Sequence, residues 1–118
     1  MSILKWHIYR ANLDPVIGSE QGKTRPVLVI SEDTINSLLN IVNVLPLTSL
    51  KPGRKVYPNE AHLNAGKYGQ PNDSIVLCHQ IRTLDKRRLT FEYGKVDNID
   101  KQEEITEALC FQLGIARK

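Results

Sequence analysis

Apolar and polar positions alternate in short runs along most of the chain and settle into a helical period only near its end. Ile8, Arg10 and Asn12 alternate with Tyr9, Ala11 and Leu13, and Asp14-Pro15 stops the run, so a strand is predicted over 8–13. Residues 16–24 hold two glycines among mostly polar side chains and read as a mobile surface loop. A β-branched run over 26–31 predicts a buried strand that tolerates its proline at the first position. Residues 32–39 predict a short helix capped by Asp33, with Ile35, Leu38 and Leu39 on one side. Positions 41–49 are apolar on both faces except at Asn43, which predicts a central strand. A turn at 51–54 leads into a fourth strand over 56–63, interrupted by Pro58, and then a second loop over 64–72. The longest strand is predicted over 74–84, with Ile75, Leu77, His79 and Ile81 on one face and Val76, Cys78, Gln80 and Arg82 on the other. A strand over 91–96 closes the β part.

From Asp100, read as an N-cap with Glu103 three residues on, Ile105, Ala108/Leu109 and Gln112/Leu113 recur at helical spacing up to Gly114. Five or six short strands followed by one amphipathic helix predict a mainly β fold: a small antiparallel barrel capped by that helix. With 118 residues and no repeat or linker, the expectation is one domain over 1–118. Hydrophobic residues at 41% and charged residues at 25% are the proportions of a folded globular protein. No apolar run is long enough for a bilayer or a signal segment, so a cytoplasmic location is expected. Cys78 and Cys110 lie far apart, without a Cys-x-x-Cys or a histidine at ligand spacing, and read as small buried hydrophobes.

A net charge of +3 says less than where the charges lie. Bases gather in Lys23/Arg25, Lys51/Arg54/Lys55 and Arg82/Lys86/Arg87/Arg88, and acids in Asp97, Asp100, Glu103, Glu104 and Glu107. Were the basic segments to converge, one face would meet phosphates. Phosphate-binding glycine loops, a nucleophile elbow and a His-Glu-x-x-His zinc motif are all missing from the sequence, so neither a cofactor nor a metal is expected. What remains is a loop–strand junction, 18–31, where Arg25 stands immediately before a proline and a buried run. A guanidinium on rigid backbone can meet a phosphate bidentately, and fixed positive charge suits phosphoryl transfer. A surface ion pair is the plainer alternative for Arg25. Hydroxyls in Pro46-Leu47-Thr48-Ser49 offer donors to the same anion, or merely a turn.

Asn12-Leu13-Asp14-Pro15, the junction 18–31, Pro46-Leu47-Thr48-Ser49, and Asp73-Ser74-Ile75-Val76-Leu77 with Gln80-Ile81-Arg82-Thr83-Leu84-Asp85-Lys86 occur in the order found in MazF/PemK (Kid) toxins, which this chain resembles over nearly its whole length. The resemblance implies the SH3-like barrel shared by CcdB, PemK and MazF plasmid-maintenance toxins. It further implies a homodimer, an endoribonuclease that cuts single-stranded mRNA at a short sequence without metal, and a MazE-like antitoxin that competes for the RNA groove. The family's catalytic arginine and hydroxyl map onto Arg25 and Thr48. The implied reaction is attack of a ribose 2′-hydroxyl on its own phosphate, which leaves a 2′,3′-cyclic phosphate and a 5′-hydroxyl. RNA contacts are expected from Ser19, Glu20, Gln21 and Lys23 in a flexible lid over 18–23, and from Thr24, Ser49, His79, Gln80 and Arg82 along the groove.

Where the Kid-like branch has an arginine and an aspartate two apart on the long strand, this chain has Leu77 and His79. His79 has apolar neighbours on its predicted face and is expected to be packed and neutral, with proton transfer as the alternative. Trp6-His7 replaces the family's usual glycine and acid, and Trp6 is expected to pack or to form a dimer contact, with stacking of a base in the groove as the alternative. A CcdB-like gyrase poison is the rival reading. Its tryptophan before Gly-Ile is missing at Leu113-Gly114-Ile115. A non-catalytic RNA-binding barrel is a third reading.

Overall fold

In a computed structural model, whose described residues are 1–117, seven antiparallel strands precede a long C-terminal helix. The strands are β1 (His7–Asn12), β2 (Thr24–Val29), β3 (Ile41–Ser49), β4 (Glu60–Leu63), β5 (Ser74–Leu77), β6 (Arg82–Asp85) and β7 (Leu89–Lys95). The helices are α1 (Asp33–Leu38) and α2 (Ile99–Leu113). Sheet order is β4-β5-β3-β2-β1-β7, with β6 also paired to β3. The expected β3 is central: it hydrogen-bonds β2 along one edge and both β6 and β5 along the other. Among the described residues, no helix is long and apolar enough to cross a membrane.

β2 and β3 are buried on both faces over most of their length, and β1 except at Arg10 and Asn12; alternation sorts the buried side chains between two clusters. Ile8, Leu28, Leu45 and Leu47 face Ala61, Val76, Ile105 and Ala108, under α2. Tyr9, Ala11, Val27, Val29, Val42 and Val44 face Ile3, Leu84 and Leu89 on the other side. This is why β2 and β3 read as near-continuous apolar runs while β1 alternates. Trp6 packs against the first cluster, and its backbone ties the N-terminal segment to Val29 and Val96. No hydrogen-bonded ladder joins the edge strands β4 and β7. Between them, Tyr68 and Gly69 press backbone to backbone against Tyr93 and Gly94, and α2 packs on β4.

Four local expectations change. The predicted long strand is broken by a 3-10 turn, Cys78–Gln80. Pairing runs from Leu47↔Val76 to Val44↔Arg82, three steps along β3 against six along its partner, and the surplus is the three residues of that turn. His79 consequently leaves the predicted apolar face and is exposed, which corrects the packed histidine. The fourth strand begins only after Pro58, at Glu60, because proline has no N–H for a ladder. The α1 N-cap is Glu32, while Asp33 instead accepts the Lys5 amide at 2.7 Å; the helix buries Asn36 and leaves Ile35, Leu38 and Leu39 exposed. In α2 the cap is Asn98, whose side chain accepts the Lys101 amide, and Gly114 ends the helix at φ 69° as expected.

The loop before β4 is anchored by one inward carboxylate. Glu60, its side chain 3% exposed, takes two hydrogen bonds from the Arg54 guanidinium at 2.8 and 2.9 Å and one from the Tyr57 amide at 3.0 Å. These bonds, Arg54's first, hold its pKa below the ordinary carboxylate range despite burial. A depressed native pKa contributes stability above the unfolded value and loses it as acid protonates the folded form. Between about pH 5 and pH 3, melting temperature should therefore fall less steeply in Glu60→Gln than in the parent, as differential scanning calorimetry would show. Equal slopes would show that the pair carries no acid sensitivity. Beside it, burial and the Glu60 charge push the Cys78 thiol up to about 12, so it stays protonated and behaves as a core hydrophobe.

Candidate active site

Two antiparallel strands bring the junction arginine and the strand-end hydroxyl together. β2 and β3 pair at Val27↔Pro46, and the same register carried two residues further sets Arg25 across from Thr48. Both side chains line one hollow of about 270 Å³, together with Lys23, Thr24, Pro26, Leu47, Ser49, Gln70 and Ser74. Its lining holds two cations and several hydroxyls but no carboxylate. Arg25 is half-buried, and its Nε donates to the Gly22 carbonyl at 3.0 Å. That bond fixes the guanidinium plane while its two terminal nitrogens have no protein acceptor among the described residues. No carboxylate among the described residues pairs with it. The ion-pair alternative for Arg25 is therefore not what the fold builds.

Other arginines make the contrast. Arg87 grips Asp85 bidentately at 3.0 and 3.1 Å and draws that carboxyl down to about 2, so in the hollow of about 390 Å³ beside it this guanidinium is paired, unlike Arg25, and Lys86 is the other cation of the lining. Arg54 is engaged by Glu60. Arg88 donates to the carbonyls of Asn12 and Asp14. Of the three basic clusters, only Lys23/Arg25 lines the hollow that contains Thr48.

The predicted RNA-contact residues divide between two hollows. Lys23, Thr24 and Ser49 join Arg25 and Thr48. Glu20, His79, Gln80 and Arg82 line a second hollow of about 210 Å³. Ser19 and Gln21 belong to the loop between them, and that loop is tied down at several points. Gln80 accepts from the Gln21 amide and donates to the Ser19 carbonyl, both at 3.1 Å. Arg82 donates to the Leu13 carbonyl at 2.7 Å, and Asp14 accepts from the Lys23 amide at 2.8 Å. Gln80 and Arg82 thus hold the loop in place, while Glu20 and His79 are the exposed side chains of the second hollow. Leu77, at the position of the Kid-like branch's arginine, is core at 2% exposure. Sequence reasoning missed Gln70 and Ser74. Ser74 pairs with Ser49 across β3 and β5, a register visible only once the long strand is broken correctly.

The model for the PemK-like, MazF-like toxin of type II toxin-antitoxin systems matches residues 4–113. Endoribonuclease EndoA of Bacillus subtilis is 37% identical over 115 residues, covering 98% of this chain and 97% of that protein. The crystal structure of MazF from Deinococcus radiodurans superposes with a TM-score of 0.80 at 30% identity, over 97% of this chain and 98% of the other. A mycobacterial endoribonuclease solved with its cognate antitoxin shares the fold at a TM-score of 0.78 and 22% identity, over 98% and 99%. With Arg25 and Thr48 meeting at one hollow and this agreement along the whole chain, the protein belongs to the PemK-like, MazF-like toxin family of type II toxin-antitoxin systems.

Proposed function

We propose that the chain is a sequence-specific endoribonuclease that cleaves single-stranded mRNA without a metal ion and acts as the toxin of a cytoplasmic toxin–antitoxin pair. The observation that carries this is the free Arg25 guanidinium, fixed at a hollow whose other donors are hydroxyls. Such a site offers charge and hydrogen bonds to a phosphodiester and lacks a built-in nucleophile or general base. RNA supplies its own. The ribose 2′-hydroxyl gives its proton to water as its oxygen attacks the adjacent phosphorus; an O2′–P bond forms, the P–O5′ bond breaks, the departing O5′ takes a proton from water, and the ends are a 2′,3′-cyclic phosphate and a 5′-hydroxyl. DNA lacks that oxygen and is no substrate. Arginine stays protonated at neutral pH, so Arg25 neutralises the pentavalent phosphorane and Thr48 Oγ1 donates to a phosphate oxygen. Base choice rests with the 18–23 loop and with Glu20 and His79 in the neighbouring hollow.

Two relatives point to partners: one endoribonuclease was solved with its cognate antitoxin, and the Deinococcus MazF with MazE. By analogy this chain acts as a homodimer silenced by a MazE-like antitoxin that covers the same groove. Incubating the purified protein with a long RNA in EDTA tests the reading. Discrete fragments with 5′-hydroxyl and 2′,3′-cyclic ends are expected. Tight RNA binding without scission would favour a non-catalytic barrel, and arrest of DNA gyrase instead would favour the CcdB-like activity.

A further inference from the structure

Gln70 is only 9% exposed, and its Nε2 is shut from solvent with no acceptor among the described residues. A buried amide donor without a partner is unfavourable and uncommon in folded proteins. Among the described residues, two other buried side-chain atoms lack a hydrogen-bond partner, His7 Nδ1 and Gln21 Oε1, and neither residue lines the hollow of Arg25. His7 Nδ1 still has the Glu92 carboxylate 3.1 Å away. Gln70 lines the hollow that holds Arg25 and Thr48, whose lining contains no carboxylate.

The loop cannot relieve this by swinging outward. Gly66 donates to the Gln70 carbonyl at 2.7 Å, and Gly69, at φ +84°, lies so close to β7 that a Cβ there would sit 2.1 Å from the Tyr93 carbonyl oxygen. The backbone at Gln70 is thereby fixed, and the residue is held at the wall of the site. We propose that Gln70 is a substrate-binding residue: a half-turn of its terminal amide, which exchanges the enclosed Nε2 with Oε1, lets it donate to an acceptor oxygen of RNA bound at the Arg25 hollow, an inference that rests on the RNA-cleaving function proposed above. Two oxygens of the same nucleotide have the required chemistry, a non-bridging phosphate oxygen and a base carbonyl. At about 270 Å³ the hollow admits roughly one nucleotide, so either is within its compass.

Gln70→Met keeps length and bulk but loses the donor, and Gln70→Glu keeps shape but replaces the donor with negative charge. Parent and variants would be compared on pooled RNA in EDTA, reading kcat/KM, the sequences at the new 5′ ends and the melting temperature. Gln70→Met should melt at or above the parent's temperature, since it removes an unanswered polar atom, and should cut about tenfold or more slowly. Uniform loss at every site, deeper in Gln70→Glu, would identify the phosphate oxygen. A changed set of cut sites would identify the base carbonyl. A Gln70→Met protein that melts well below the parent would make the amide structural and overturn the proposal. Parental rates at parental sites would overturn it equally. If the parent itself leaves RNA intact, it is the proposed function that fails.

Discussion

Replacing Arg25 by alanine is expected to slow RNA cleavage by about 10²- to 10³-fold, the scale for removing one preorganised donor to a developing negative charge, or roughly 3 to 4 kcal/mol. The fold should survive, because the side chain makes one backbone hydrogen bond and no ion pair among the described residues. Thr48→Ala should fall at least about a hundredfold on the same grounds. Arg25→Lys should recover little: an ammonium keeps the charge but loses the planar fork and the Nε–Gly22 tether. Single-turnover rates on one RNA, with melting curves as the folding control, decide the matter. Parental rates in Arg25→Ala would remove the guanidinium from the chemistry. The double variant should lose less than the product of the two single losses, since both donors serve one anion.

How much of this was legible beforehand depends on how local the cause is. The strand nature of 41–49 and the α2 period follow from side-chain pattern, and Gly114 follows from the need for a left-handed residue at a helix end. The 3-10 turn at Cys78–Gln80 has no local signal. It arises because β5 and β6 serve different ends of one partner, β3, and the three extra residues must go somewhere. His79 was misplaced for that reason alone. Within the site, Arg25 and Thr48 came from the family pattern, but their meeting is a consequence of β2–β3 register. The basic clusters were visible as charge and invisible as availability: Arg54, Arg87 and Arg88 are spent on Glu60, Asp85 and two carbonyls. Gln70 lay in a segment readable only as a loop. What singles it out is burial without a partner, a property of the packed state.

Gly69→Ala is expected to be among the most damaging single-methyl additions this chain can receive, at about 3 kcal/mol or more. Two costs add. At φ +84° an L-residue is strained by about 1 to 2 kcal/mol, and the new Cβ would lie 2.1 Å from the Tyr93 carbonyl oxygen, 2.5 Å from its carbon and 3.0 Å from the Gly94 nitrogen. Those atoms are strand backbone, so no side chain can swing aside; either β7 moves off the loop or the loop lifts from β7. Gly53 and Gly66 separate the two terms, since they share the strain at φ +80° and +78° but have nothing within 4 Å of an added Cβ. Their alanine variants should lose only about 1 kcal/mol. Urea titrations of the three proteins would show Gly69→Ala with the lowest midpoint, a large fraction of the roughly 5 to 15 kcal/mol that holds a domain folded. RNA cleavage should fall with it even where the protein remains folded, because Gln70 follows Gly69 and moves with the loop. Were all three variants equally stable, the loop would not be braced on β7, and the restraint that keeps Gln70 at the wall of the Arg25 hollow would be absent.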